Sequence, residues 1–540
     1  MDARAHDVSL HAMTDHEPSR NFNHPRATPL AVAQHAISLE RAGDPQAALE
    51  MLLDRIGTGV KARLVLHTAS NLAATYADFD VSSLSEPGLL NLLNNPTVDR
   101  AALAQIAMFK AMSRWPLINI IGTGETGTWD IAAKLFLDAA GEIADDALFI
   151  TALETDTVQA FNLELLLIAV RTNLLHEPER LEHAPVARIA LAITRQVELN
   201  EAVWLQSDSE TAGLENLPSG AAKSMLNALY EGTNYTDDKA YSLPTFGTIT
   251  DAVSMKVGAQ YADAPYPRWT SLNIPEAGGR LTIARRLSND NRLHTIKRPS
   301  VLIAGCGTGQ HAIISALGYG PKSTVLGVDL SRTSLSYAAR MTKTFAVKNL
   351  TLAQGDILDI DSLDRTFDII ESIGVLHHTA DPMESWRQLL NVLKPGGLMA
   401  VGVYSATARA GLSKYRAGLD HTEPPSDNVI RTLRHNMIRA PQNDFERSII
   451  QSADFNTLSN LRDLLFNVHE IPLTLHEIRD FIDLQGLRFL GFDASPATTT
   501  RFIGAKGHDA LSDLDAWIAF EGKNSDAFEA MYVFWVQALA

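Results

Sequence analysis

Three glycines in five residues, Gly305, Gly307 and Gly309, lie between the apolar run Val301–Ala304 and a helical pattern that begins at His311. Glycines at a strand-to-helix turn allow a tight bend and a close approach by a ligand. The helix start then offers unpaired N–H groups to whatever binds there. Alone, such a triplet is a weak signal. Asp329 follows 24 residues after Gly305, at the end of a second apolar run, placed to accept hydrogen bonds from ribose hydroxyls. Gly355-Asp356-Ile357 ends a third run, where an acid can meet the exocyclic amine of an adenine. Either aspartate by itself reads equally as a solvated loop carboxylate; three features at successive strand ends point to a nucleotide. His377 and His378 close a fourth run and Tyr404 a fifth, near where a reaction partner would meet that nucleotide. A histidine there serves as a general base only if the nucleophile arrives protonated, and a hydrogen-bonded loop or core histidine is as good a reading of each. The two are adjacent without a third ligand nearby, so no metal site is indicated.

The elements that must position these residues alternate strand and helix from Pro299, the pattern of a parallel sheet with crossovers. Strands are predicted at Ser300–Ala304, Thr324–Val328, Leu350–Gln354, Phe367–Ser372, Leu398–Tyr404 and Leu487–Phe492. Residues 406–466 read as a helical insertion, and a helical pair, Leu511–Phe520 and Ala527–Leu539, closes the chain. From about Pro29 to Tyr230 the periodicity is helical. There the break at Asp44-Pro45 makes one tetratricopeptide-type hairpin, without a second copy at the expected period. The loop Gly122–Gly127 lacks the Gly-Lys-Ser/Thr ending of a phosphate loop and reads as an interhelical turn. Between the halves, Tyr261-Ala-Asp-Ala-Pro-Tyr-Pro-Arg-Trp269 is held extended and non-helical by its prolines. It is either a strap packed on a neighbour or a lid in which Tyr261, Tyr266, Arg268 and Trp269 cover a ligand. Arg462 and His469 flank the insertion as further pocket candidates, with a structural ion pair the stronger reading of Arg462. The resulting divisions are a disordered tail at 1–27, a helical domain at 28–240, a linker and lid at 241–298, a nucleotide-binding domain at 299–507, and C-terminal helices at 508–540.

With 46 basic and 63 acidic residues the formal charge is −17, and no Lys/Arg-rich run appears, which argues against a nucleic-acid partner. The single cysteine, Cys306, excludes an intrachain disulfide and a thiolate metal cluster, and reads as a small residue that fits the turn. The first 26 residues lack a secretory pattern, and the longest apolar stretch, near Leu163–Val170, is too short to span a bilayer. The cytoplasm is the expected location.

Residues 299–405 resemble a class I S-adenosylmethionine-dependent methyltransferase. The family's first motif matches Gly305, Gly307 and Gly309; its ribose-binding acid matches Asp329; its adenine-side acid matches Asp356. The fourth-strand region Phe367–His378 with Asp381-Pro382, and the turn Leu393-Lys-Pro-Gly-Gly397, also match. The resemblance implies a Rossmann-like fold and S-adenosylmethionine bound by Gly305, Cys306, Gly307, Thr308, Gly309, Asp329, Leu330, Gly355, Asp356, Ile357 and Ser372. It implies methyl transfer with His377, His378 and Tyr404 as catalytic candidates. Many members carry an acid at the place of Ile303; its absence leaves open how the methionine ammonium is held. A nicotinamide dehydrogenase fits less well, because its fingerprint wants glycine where Gln310 stands. The wider chain resembles a bacterial methyltransferase group with a tetratricopeptide-like N-terminal region, through Tyr266-Pro-Arg-Trp269, Arg462–Phe466 before His469, and Met531–Trp535. Three acceptor classes remain: a small molecule, a protein docked on the helical region, or none, the chain serving as a scaffold.

Overall fold

Long apolar runs with buried side chains on both faces suit a parallel sheet covered by helices, and this is what residues 300–404 build. The computed structural model describes residues 27–76, 78–115, 129–217, 219–231, 241–287, 296–419 and 425–539. The expected tail, Ala27 apart, and the Gly122–Gly127 loop lie outside them. Strands β1 (Ser300–Ala304), β2 (Thr324–Asp329), β3 (Leu350–Gln354), β4 (Phe367–Ile373), β5 (Leu393–Tyr404), β6 (Leu487–Phe492) and β7 (Met531–Ala538) form one sheet. Its order is β3-β2-β1-β4-β5-β7-β6. Strands β1 to β5 pair in parallel, and β7 runs antiparallel between β5 and β6. From β1 the chain winds outward to β3, then returns to place β4 on the other side. That reversal opens a crevice at the carboxyl ends of β1 and β4, where ligands bind in open α/β sheets.

Strand β7 corrects the expected helix over Ala527–Leu539. Tyr532, Phe534 and Val536 are buried while Met531, Val533 and Trp535 are half-buried, a period of two rather than 3.6. The run is aromatic and β-branched, and two partner strands complete its hydrogen bonds. The preceding helix is observed at Leu514–Glu521.

The chain divides into two compact units. One draws on Met1–Asn234, Trp269–Asn273 and Pro425–Leu461; the other on Tyr235–Arg268, Ile274–Pro424 and Arg462–Ala540. In the helical unit, Thr28 and Asp44 cap helices that begin with Pro29 and Pro45, residues suited to a first helical turn. The segment Pro425–Leu461, expected within an insertion of the nucleotide-binding domain, belongs instead to this unit. Arg434 pairs with both carboxylate oxygens of Glu164, at 2.5 and 2.8 Å, each side chain almost fully buried. The backbone N–H and hydroxyl of Ser459 both donate to Glu201. Removing one partner of a buried ion pair costs about 3–5 kcal/mol, so the segment is tied firmly to its unit. Among the described residues, no helix is long and apolar enough to cross a membrane.

Candidate active site

The glycine turn starts where β1 ends. Gly305 and Cys306 both donate to the Val328 carbonyl at 2.9 Å, binding the turn to β2. Gly305 (φ +72°) and Gly309 (φ +85°) take left-handed backbone conformations, and a Cβ would come within 2.3 Å of Val375 or 2.6 Å of Ala338. No other residue fits either position without a shift. The cavity beside the turn has a volume of about 240 Å³. Gly305, Cys306, Gly307, Thr308, Asp329, Leu330, Gly355, Asp356 and Ile357 all line it.

Asp329 sits at the end of β2 with one oxygen 2.7 Å from the Gly307 amide and the other 2.8 Å from that of Ser331. Burial raises its pKa, opposed by these backbone donors. Each carboxylate oxygen keeps a further lone pair, which suits a vicinal diol. Asp356 accepts from the Leu358 amide and is nearly buried. An acid at a strand end beside a glycine-lined concavity, and a second acid one strand further out, fit an adenosyl group.

Tyr261, His378 and Tyr404 also reach the cavity, with Asp463 and Met531 beside them. Tyr261 donates to Asp463 at 2.7 Å, and Asn467 donates to the same oxygen at 2.8 Å. Burial and the neighbouring Asp463 push the Tyr261 phenol well up, so it stays protonated. The Arg409 guanidinium stacks 3.6 Å over the Tyr404 ring and pairs with Glu470, which also takes Arg416. On the ring's other side lies His377, centroid to centroid 3.9 Å.

The paired histidines adopt opposite roles. His378 Nδ1 lies 2.8 Å from the His469 carbonyl, so Nδ1 carries a proton and Nε2 is the nitrogen left to act as an acceptor. His377 Nδ1 accepts from the Tyr404 amide at 3.1 Å, which puts its proton on Nε2, a buried atom without a partner among the described residues. Burial, His378 and Arg409 hold the pKa of His377 well below the usual histidine value. Fully buried and off the cavity, His377 is corrected from a catalytic candidate to a core residue.

Other expectations shift as well. Ser372 is wholly buried, and the cavity is met instead by Ile373, on the opposite face of the strand, and by Gly374 just past its end. Gly309 serves as helix cap and packing contact rather than cavity wall. Trp269 is buried in the helical unit, where Leu272 donates to the Pro96 carbonyl and Asn273 to Asn71. It is therefore strap rather than lid. Arg268 and Arg462 do not line the cavity, and His469 stands behind it, its Nε2 3.0 Å from the Thr379 carbonyl. Tyr261 is not in an extended segment; it ends the helix Ala252–Asp263, since Pro265 stops the helix only at Ala264. Ser254, Val257 and Tyr261 recur at spacings of three and four and all face the cavity. That helical stripe was available in the sequence; Asp463 had no comparable signal. Pro267 and Tyr261 are fastened across the turn, their carbonyls accepting from Thr308 Oγ1 at 2.5 Å and Ser331 Oγ at 2.9 Å. Among the described residues, no group of three or more His, Cys, Asp or Glu side chains is arranged to hold a metal ion.

Residues 297–461 match the family described as Methyltransferase domain. An uncharacterized Synechococcus sp. protein is 27% identical over 299 residues, 50% of this chain and 68% of that protein. The demethylmenaquinone methyltransferase of Listeria welshimeri is 32% identical over 104 residues, 19% of this chain and 44% of that enzyme. The chain thus spans less than half the length of that relative. Among solved structures, PKMT2 from Rickettsia typhi in complex with AdoHcy is similar over 55% of this chain and 54% of that one, at 17% identity and a TM-score of 0.33. With the glycine turn, the two strand-end acids and the family match in one place, residues 297–461 carry a class I S-adenosylmethionine-dependent methyltransferase domain.

Proposed function

We propose that the protein methylates a small molecule held at the end of the cavity formed by Tyr261, His378, Tyr404 and Asp463. The observation that carries this reading is that these four side chains line the same cavity as the glycine turn and Asp329. S-adenosylmethionine, when bound, supplies an activated methyl group on a sulfonium leaving group. The protein's work is to align the acceptor and exclude water, an orientation effect worth several kcal/mol. Gly305–Thr308, Asp329 and Asp356 hold the nucleoside end. Tyr261, kept protonated, and Asp463 orient the acceptor, and His378 Nε2 receives its proton if it arrives protonated.

Incubating the full chain with labelled S-adenosylmethionine and a cell extract, followed by mass spectrometry, tests this. Label on small metabolites is the expected result; label on polypeptides would move the acceptor assignment to a protein docked on the helical unit. No transfer to any acceptor, with the donor bound, would leave the scaffold reading. The same proposal reads the helices Pro29–Arg41 and Pro45–Gly57 as a tetratricopeptide-like hairpin and the cytoplasm as the place of action, supported by the Asp44-Pro45 turn and the single buried thiol.

A further inference from the structure

Glu371, within β4, is wholly buried and stands directly across from Ile303 of β1. Arg280 donates to its two carboxylate oxygens at 2.9 and 3.0 Å, Ser315 at 2.6 Å and Tyr319 at 2.5 Å, and His311 Nε2 lies 2.6 Å from Oε2. Burial alone would raise its pKa, but Arg280 and His311 outweigh it and hold the carboxyl well below the usual range. Desolvating a carboxylate costs several kcal/mol, and so elaborate a set of partners in a sheet core calls for a reason beyond packing.

Two observations supply one. Position 303, where the resemblance leads one to expect an acid, holds Ile303, and the residue paired with it on the next strand is Glu371. Of the five groups in the cluster, only His311 lines the cavity, and about a third of its side chain (32%) is accessible. With Nε2 held 2.6 Å from Glu371 Oε2, Nδ1 is the ring nitrogen left to meet a ligand, and in a neutral ring protonated at Nε2 it is an acceptor.

We propose that His311, oriented by Glu371, accepts a hydrogen bond from the ammonium at the methionine end of S-adenosylmethionine, in place of the acid absent at Ile303. His311 touches the donor; Glu371 and Arg280 are positioning residues. This assignment rests on the donor named above.

Calorimetric titration of the full chain with S-adenosylhomocysteine, its desamino analogue and 5′-methylthioadenosine tests it. His311→Ala is expected to weaken S-adenosylhomocysteine about tenfold, the loss of one charge-assisted hydrogen bond, and to leave the other two ligands unchanged. Glu371→Gln, which keeps the volume, is expected to shift binding in the same ligand-selective way, and His311→Asn to recover part of the loss. Equal weakening of all three ligands would overturn the proposal, as a merely structural effect. So would equal weakening of S-adenosylhomocysteine and its desamino analogue, which would assign His311 to the carboxylate, or unchanged binding in His311→Ala. If the unmodified protein binds none of these nucleosides, the donor assignment itself fails, a result distinct from the others.

Discussion

The two ends of the cavity are built on different principles. At the donor end the contacts come from backbone turns and short acids at the ends of consecutive strands, all between Gly305 and Ile357. At the end proposed for the acceptor, the lining comes from large side chains far apart in the chain: Tyr261, His378, Tyr404, Asp463 and Met531. A nucleoside presents the same hydroxyls and ring nitrogens every time, so backbone geometry suffices to bind it. An acceptor varies, and side chains on separate elements can vary with it without disturbing the turn. The acceptor end therefore needs its own scaffolding, which Arg409, Arg416 and Glu470 supply as a buried ionic triad behind Tyr404.

The largest effects should fall on the acceptor end. His378→Ala should lower kcat by about 10²–10⁴-fold in steady-state assays with a protonated acceptor, leaving S-adenosylhomocysteine affinity unchanged. Equal losses in both would place His378 at the donor end and dissolve the distinction. Glu470→Ala strands two buried guanidinium groups, and thermal denaturation should show a loss of about 3–5 kcal/mol, against a smaller loss for an exposed pair such as Arg387–Glu384. At the donor end, Asp329→Ala should weaken S-adenosylhomocysteine by roughly 2–3 kcal/mol in calorimetry without lowering the melting temperature comparably. Undiminished binding would remove the ribose role of Asp329.

A smaller effect concerns His377. Its pKa in the folded protein lies well below the usual value of 6.5. Below pH 6.5 the unfolded chain takes up a proton that the native state refuses, so this residue's contribution is present above that pH and is lost as pH falls. His377→Leu should flatten the stability profile between about pH 6.5 and 5, by up to about 1.4 kcal/mol per pH unit. An unchanged slope in chemical denaturation would show that His377 is not the buried neutral group described.

The donor end was readable because each of its residues sits at a strand terminus, and strand termini announce themselves by where an apolar run stops. Thus β1, β3 and β6 fall where periodicity predicts them. The acceptor end was only partly readable. His377 and His378 are chemically identical and adjacent, and nothing local separates them; a Tyr404 amide and a His469 carbonyl do. Trp269 looked like part of a lid because of its neighbours, yet a boundary between units falls just before it. Strand β7 reads as a helix in the sequence because both its faces are apolar, Met531, Val533 and Trp535 on one and Tyr532, Phe534 and Val536 on the other, so its period of two shows only once the partners β5 and β6 are in place.

The sequence by itself determined the methyltransferase domain's turn, its acids and where its parallel strands lie along the chain, since these depend on contacts within a few residues or on simple alternation. Only the tertiary structure decided which histidine meets the cavity, that Asp463 joins it, that Pro425–Leu461 belongs to the helical unit, and that Glu371 stands across from Ile303. Those outcomes depend on hydrogen bonds and ion pairs between residues tens to hundreds of positions apart, such as Arg434 with Glu164 and Tyr261 with Asp463. Such pairings leave no periodic trace along the chain. They arise because a buried charge or donor must find a partner, and the partner is whatever the fold brings near.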